Sequence, residues 1–362
     1  MTTTPSQSQL LLHILVLLAS GGALLMMQQA AAIDDEHHEL QLPITRPGCP
    51  DKCGDISIPF PFGMKPGCFL EGFQVTCNHS FQPPRAFLAY NRSAQTTVAV
   101  PYSTPSGKQS IIDYNHSSSD GALPIELIDI SIAESAARAY APVASVCSTN
   151  ATSGFVRYAF TTLAFEMDGP KGPFLMSLVR NVLVGVGLVV HPLVSRFDHA
   201  SEAPEEDYYL VSCRSQLMEN LQLASNGSCS GRGCCQASLP EAPPFNGIFI
   251  TMGPKANNSL WATNPCSFAM VVEDSWYNFS TTDLYGNTSN KFPRGVPYVI
   301  DFAIRNVKCP VKGQEPHSDY ACVSGNSTCS DDVTNGYVCK CLEHYEGNPY
   351  IPNGCQGNNL PI

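Results

Sequence analysis

The chain has 362 residues, sets 20 Lys and Arg against 31 Asp and Glu for a net charge of −11, and contains 16 cysteines. An acidic balance with no basic tract and no zinc-finger spacing excludes the usual nucleic-acid binders. The even, high cysteine count fits eight disulfides in an oxidising compartment and supports export.

In chain order, residues 10–27 are uncharged and apolar, and Ala30, Ala31 and Ala32 supply small residues for signal-peptidase cleavage. Residues 1–32 therefore read as a signal peptide; because no Lys or Arg precedes the run, an uncleaved membrane anchor is the alternative. Residues 33–48 form an acidic leader whose His37 and His38 read as solvated rather than metal-binding.

The segment CPDKCGDISIPFPFG (49–63) follows. Ile56, Ile58, Phe60 and Phe62 fall two apart, so an extended chain points them one way. Pro59 and Pro61 restrict the stretch to an edge strand or a polyproline-like segment, free to lie along a surface. Residues 49–110 carry Lys52, Lys65, Arg85, Arg92 and Lys108 against three acidic side chains, the only net-positive region of the chain.

Short alternating runs at 73–77, 97–102, 125–132, 155–165, 208–213, 247–252, 268–274 and 298–307 predict strands separated by Pro, Gly, Asn and Ser clusters. The alanine-rich stretch 133–141 predicts one short helix ended by Pro142. Arg180 and Asn181 break the apolar stretch 173–194, leaving residues 182–190, far short of the ~20 needed to span a bilayer. These read as a buried strand. No stop-transfer helix or cytoplasmic domain is expected before Ile362.

Nine Asn-x-Ser/Thr sequons, at Asn78, Asn91, Asn115, Asn150, Asn226, Asn257, Asn278, Asn287 and Asn326, predict a glycoprotein of the secretory pathway. Catalytic signals are missing. GSCSG (227–231) has cysteine where a nucleophile elbow needs serine, and His191 and His199 lack metalloprotease spacing. The chain is read as a non-enzyme with no metal or other cofactor. Vicinal Cys234 and Cys235 read as members of two structural bridges.

Six cysteines, Cys309, Cys322, Cys329, Cys339, Cys341 and Cys355, lie in a stretch too short for a self-sufficient apolar core. The one-residue gap in CKC and the loop HYEGNPY resemble an EGF-like module. That resemblance implies Cys309–Cys329, Cys322–Cys339 and Cys341–Cys355. The calcium-binding subtype is a poor match, because AIRNVKC lacks an acidic cluster.

CPDKCGDISIPFPFG, then GC at 67–68 and GFQVTCN at 72–78, resembles the galacturonan-binding domain of plant wall-associated receptor kinases. CSGRGCCQ (229–236) and residues 320–356 resemble later blocks of the same ectodomains. There are departures. Leu188 and Leu217 stand where the family shows cysteine, which fits either loss of one bridge or re-pairing of two. No glycine-rich loop, catalytic lysine or Asp-Phe-Gly of a kinase is present.

The resemblance implies a mostly β, disulfide-rich secreted ectodomain (49–308, motif core 49–110), an EGF-like module (309–355) and a tail (356–362). The implied partner is pectic polysaccharide or oligogalacturonide in the cell wall, with calcium entering only as a bridge to pectin. Ligand-binding candidates are Lys52, Lys65, Arg85, Arg92 and Phe62, the last with core packing as its alternative. Arg138, Arg157, Arg294 and Arg305 are expected outside the binding region. Cys49, Cys53, Cys68, Cys77, Cys147, Cys213, Cys229, Cys234, Cys235 and Cys266 are read as bridged, with pairings left open. The rival reading is an adhesion or co-receptor module whose EGF-like repeat contacts a membrane receptor or other extracellular protein.

Overall fold

Alternating apolar residues become paired strands through most of the chain. The structure, a computed structural model, describes residues 43–101, 123–147, 155–165, 172–197, 209–217, 223–240, 247–255, 264–285, 291–311, 313, 315–333 and 335–357. Ile44–Ile362 is one compact unit; of the other, Met1–Pro43, only Pro43 is described. The signal-peptide reading and His37 and His38 thus lie outside the described residues. Among these, no helix is long and apolar enough to cross a membrane.

The largest sheet has ten antiparallel strands. Their order is Tyr209–Ser212, Pro192–Phe197, Gly247–Lys255, Phe155–Phe165, Arg85–Pro101, Leu123–Ser131, Ala136–Ala141, Val296–Phe302 and Phe174–Met176, with Val75–Asn78 also paired to Arg85–Pro101. Ala86, Leu88, Ile125, Leu127, Ala137 and Ala139 point into the core, while Arg85, Phe87 and Tyr140 occupy the other face. A second sheet orders Cys234–Ser238, Asn181–Val186, Cys266–Glu273 and Ala144–Cys147. Asn181–Val186 is buried at every position, as a strand covered on both faces must be.

Asn181, which breaks the apolar run in sequence, is a clamp between the two sheets. Its Nδ2 donates to Ser177 O at 2.7 Å and Val299 O at 2.8 Å, and its Oδ1 accepts from Val299 N at 2.8 Å. A buried amide with every bond made costs little and fixes the register of what it joins.

The stretch 133–141 is not a helix. Ser135, at φ 51°, turns the chain, and Ala136–Ala141 then runs as a strand between Leu123–Ser131 and Val296–Phe302. Alanine's helix preference amounts to under ~1 kcal/mol per residue. Ladder bonds on both sides and burial of Ala136, Ala137, Ala139 and Ala141 outweigh it.

The segment 49–63 also departs from expectation. Only Ile56–Ser57 pairs as a strand, with Lys52–Cys53. Beyond it the chain turns inward rather than along a surface. Ile58 N donates to Asp51 O, Phe60 N to Ile44 O, and Phe62 N to Pro59 O, while Leu70 N bonds Pro61 O. Ile58, Phe60 and Phe62 are all buried. The Phe62 ring centroid lies 5.1 Å from Phe73, 5.8 Å from Phe174 and 5.1 Å from Phe302, contacts typical of aromatic core packing. Phe62 is therefore a core residue, unavailable to a ligand. Cys49–Cys68 and Cys53–Cys77 hold the segment at its start.

Cys147–Cys266, Cys213–Cys235 and Cys229–Cys234 complete the bridges ahead of Cys309, placing the vicinal pair in two separate links. The C-terminal six pair as Cys309–Cys329, Cys322–Cys339 and Cys341–Cys355. Their sheet begins ahead of Cys309, since Ile304–Arg305 joins Gly336–Cys341 and Ser327–Ser330. The module also touches the first segment directly. Asn348 Nδ2 donates to Ile44 O at 2.8 Å and Phe60 O at 2.6 Å, and its Oδ1 accepts from Tyr350 N at 3.0 Å.

Leu188 and Leu217 are both buried and are joined by a backbone bond, Leu217 N donating to Leu188 O at 2.6 Å. They extend the register Val189↔Gln216 and Val190↔Ser215, and no described cysteine is free. The two leucines thus face one another across neighbouring strands, as loss of a single bridge requires; re-pairing of two is not needed.

Two tests follow from this packing. Asn348→Ala strands two buried backbone groups, Phe60 O and Tyr350 N, and removes one of two bonds to Ile44 O, so unfolding by denaturant with disulfides intact should show a loss of about 2–4 kcal/mol. Wild-type stability would mean that the amide does not join the module to the first segment. Leu188→Cys with Leu217→Cys should form an additional disulfide, read by non-reducing peptide mapping, since paired antiparallel positions lie within disulfide reach. Two free thiols in that double variant would refute the facing geometry.

Candidate functional site

The outward face of the large sheet carries a cleft of about 600 Å³, within the ~300–1,000 Å³ usual for ligand sites. Its floor comes from alternate residues of adjoining strands: Thr76 opposite Phe87, Phe87 opposite Glu126, and Tyr140 further along. The partners of these residues in the alternation, Leu88, Ile125 and Ala139, are core. Phe81 walls one side, and the turn Phe292, Pro293, Arg294 and Gly295 walls the other. Gly295 N donates to Phe292 O at 3.0 Å to close that turn. Gly295 has φ +93°, and a Cβ there would stand 2.2 Å from Ala141 O, so only glycine lets the turn lie against the sheet.

Two guanidiniums converge on one carboxylate in this cleft. Arg294 grips Glu126 bidentately, through Nη2 to Oε1 and Nε to Oε2 at 3.4 Å. Arg85 Nε approaches Oε1 at 3.6 Å. Each arginine also lies over an aromatic ring, Arg85 4.2 Å from the Phe81 centroid and Arg294 4.5 Å from that of Tyr140. Hydrogen bonding to Glu126 holds the Arg294 pKa above its ordinary value. Glu126 is the only carboxylate among the residues described as lining the cleft.

The sequence candidates distribute unevenly. Arg85 lines the cleft; Lys52 and Lys65 are exposed and do not. Arg92 lies in the strand Arg85–Pro101, its side chain outside the described residues. Arg294, expected to be remote, stands beside Arg85 and must be moved into the candidate site. Arg138 is held elsewhere, 2.7 Å from Glu273 and 2.9 Å from Asp129. Arg305 is buried, which pulls its pKa down to about 10. The backbone of Arg157 is in Phe155–Phe165, its side chain undescribed.

Glu126, Phe81, Tyr140, Phe292 and Arg294 escaped the sequence reading. A local signal for the last two exists in KFPRG (291–295), two cations and an aromatic at a Pro-Gly turn within an otherwise acidic region. Among the sequons, Asn78 lines the cleft, Asn226 and Asn278 are exposed, and Asn326 is half-buried. Asn91 lies in a strand with its side chain undescribed, and Asn115, Asn150, Asn257 and Asn287 lie outside the described residues.

Residues 49–102 match the family described as wall-associated receptor kinase galacturonan-binding. This segment supplies Thr76, Asn78, Phe81, Arg85 and Phe87 to the cleft; Glu126, Tyr140 and Arg294 lie beyond it. The chain is 29% identical over 325 residues to wall-associated receptor kinase 2 of Arabidopsis thaliana, covering 87% of this chain and 35% of that protein. It is 27% identical over 322 residues to wall-associated receptor kinase 5 of the same plant, covering 87% and 35%. Against wall-associated receptor kinase 1 it is 27% identical over 324 residues, covering 86% and 34%. The chain spans about a third of the length of these relatives. With residues 49–102 matching the galacturonan-binding family and similarity across most of its length, the chain is homologous to the Arabidopsis wall-associated receptor kinases over their ectodomain region.

Proposed function

We propose that this protein is a secreted, glycosylated wall protein that binds de-esterified pectin or oligogalacturonides through the cleft at Arg85 and Arg294. The observation that carries the reading is the convergence of two arginines on the Glu126 carboxylate between aromatic walls, one arginine coming from the galacturonan-binding segment. A uronate presents the same carboxylate group on a ring with an apolar face. Guanidinium recognises the first bidentately, and aromatic rings cover the second. That the two arginines already hold the Glu126 carboxylate supports this reading, and Glu126 sets a threshold, because an incoming uronate must share or displace it.

The exposed Lys52 and Lys65 contribute only through screened, long-range attraction. Domain limits follow the same reading, with the ectodomain at 49–308 and the EGF-like module at 309–355 docked onto it through Asn348.

Arg85→Gln with Arg294→Gln should reduce binding to de-esterified pectin by tenfold or more, about 1.4 kcal/mol. Lys52→Gln with Lys65→Gln should change it by less than about threefold, with the difference vanishing at high salt. Methyl-esterified pectin should bind the wild type weakly. Equal binding of the two pectins, or normal binding by the arginine variant, would refute the cleft mechanism. Retention on a protein partner without pectin would favour the EGF-like module as the working surface.

A further inference from the structure

We infer that Trp276, with Lys291 and Phe292, forms a second sugar subsite that takes the uronate units running out of the cleft. The inference rests on the cleft reading above. Three features place it. Phe292 lines the cleft, and the Trp276 ring centroid lies 6.2 Å from its own, so an aromatic surface continues past the cleft mouth. Trp276 is 41% exposed, unusual for so large an apolar ring, and offers a face of the kind that packs on a pyranose. Lys291 stands over the same Phe292 ring that Trp276 meets, its ammonium 5.5 Å from the Phe292 centroid and 5.7 Å from that of Tyr277.

The surface is rigidly built. The strand Cys266–Glu273 ends in a turn at Ser275, φ 64°, with Trp276 N donating to Glu273 O at 3.2 Å. Tyr277 is fixed by its hydroxyl, which donates to Asp283 Oδ2 at 2.6 Å. Asp283 also accepts from Ser280 N and, through Oδ1, from Lys291. Its side chain is almost fully buried, so its charge is spent internally and faces no ligand. Lys291 shares its charge with Asp283 but retains further N–H groups, since an ammonium has three. Stacking on Trp276 is thus the larger contribution at this subsite, and Lys291 orients the uronate carboxylate.

Intrinsic fluorescence isolates the subsite, because the chain holds two tryptophans and Trp261→Phe leaves Trp276 as the reporter. That variant is titrated with trigalacturonate, which the cleft accommodates, and with dodecagalacturonate, which overruns it. Dodecagalacturonate should perturb Trp276 emission more strongly. Trp276→Ala should weaken dodecagalacturonate binding about three- to tenfold while trigalacturonate affinity holds, which also reports an intact cleft. Trp276→Phe should recover most of the loss, and Lys291→Gln should cause a smaller one. Unchanged dodecagalacturonate affinity in Trp276→Ala, beside loss in the Arg85 and Arg294 variant, would overturn the second subsite and leave the cleft standing. Loss in Trp276→Ala with normal binding by the arginine variant would overturn the cleft and keep Trp276. No binding of either oligomer by the wild type would overturn both.

Discussion

Four phenylalanine rings decide how the first third of the described chain sits. Phe62, Phe73, Phe174 and Phe302 come from an irregular segment, a turn and two strands of the large sheet, with centroids 5.1–5.8 Å apart. Once these rings are buried together, Cys49–Cys68 and Cys53–Cys77 close short loops over already ordered chain. The carbonyls of Ile44 and Phe60 are brought to where Asn348 can reach them. The same burial sets Val75–Asn78 against Arg85–Pro101, and so puts Thr76, Asn78 and Arg85 on the outward face. The cleft is a by-product of which residues the cluster forces inward.

The strands were legible because a two-residue period states which face is apolar, wherever one face is wet. The run 73–77 is a clear case, with Phe73 and Val75 buried and Thr76 exposed; Cys266–Glu273, buried almost throughout, was legible only as an apolar run. The stretch 133–141 was not, because local preference favours helix there and only neighbours remote in sequence supply the ladders. Phe62 shows a related limit. Its spacing with Ile58 and Phe60 presumed an extended chain with one apolar side, whereas the segment turns at Pro59–Phe62 and residues 58–63 are all buried. Cation counting found Arg85 and missed its partner, since Arg294 meets Glu126 across 168 residues of sequence. Periodicity fixes faces within a strand; it does not say which strands lie side by side.

Charge adds a further constraint. Arg138 and Tyr140 share one face of the strand Ala136–Ala141, with the buried Ala137, Ala139 and Ala141 on the other. Tyr140 belongs to the cleft, whereas Arg138 belongs to a neighbouring hollow with Asp129, Glu134, Glu273 and Asp274. There Arg138 binds Glu273 and Asp129, and Arg180 binds Glu134 and Asp301. Acidic groups outnumber basic ones in the hollow, and basic groups outnumber acidic ones in the cleft. Two residues along a strand span about 6.6 Å, less than the ~10 Å Debye length at 0.1 M salt.

A polyanion on this face therefore meets attraction and repulsion within one screening length, and geometry decides between them. Contacts at Arg85 and Arg294 are short, directional and backed by aromatic rings, so salt weakens them slowly. Repulsion from the hollow acts through solvent and is screened first. Past the Phe292 turn Lys291 is the next cation, and the exposed Asp274, two residues from Trp276, limits how far a polyanion follows that edge toward the hollow. A net charge of −11 is thus compatible with an anionic ligand, because the acidic groups restrict the direction in which the chain can leave the cleft rather than its entry.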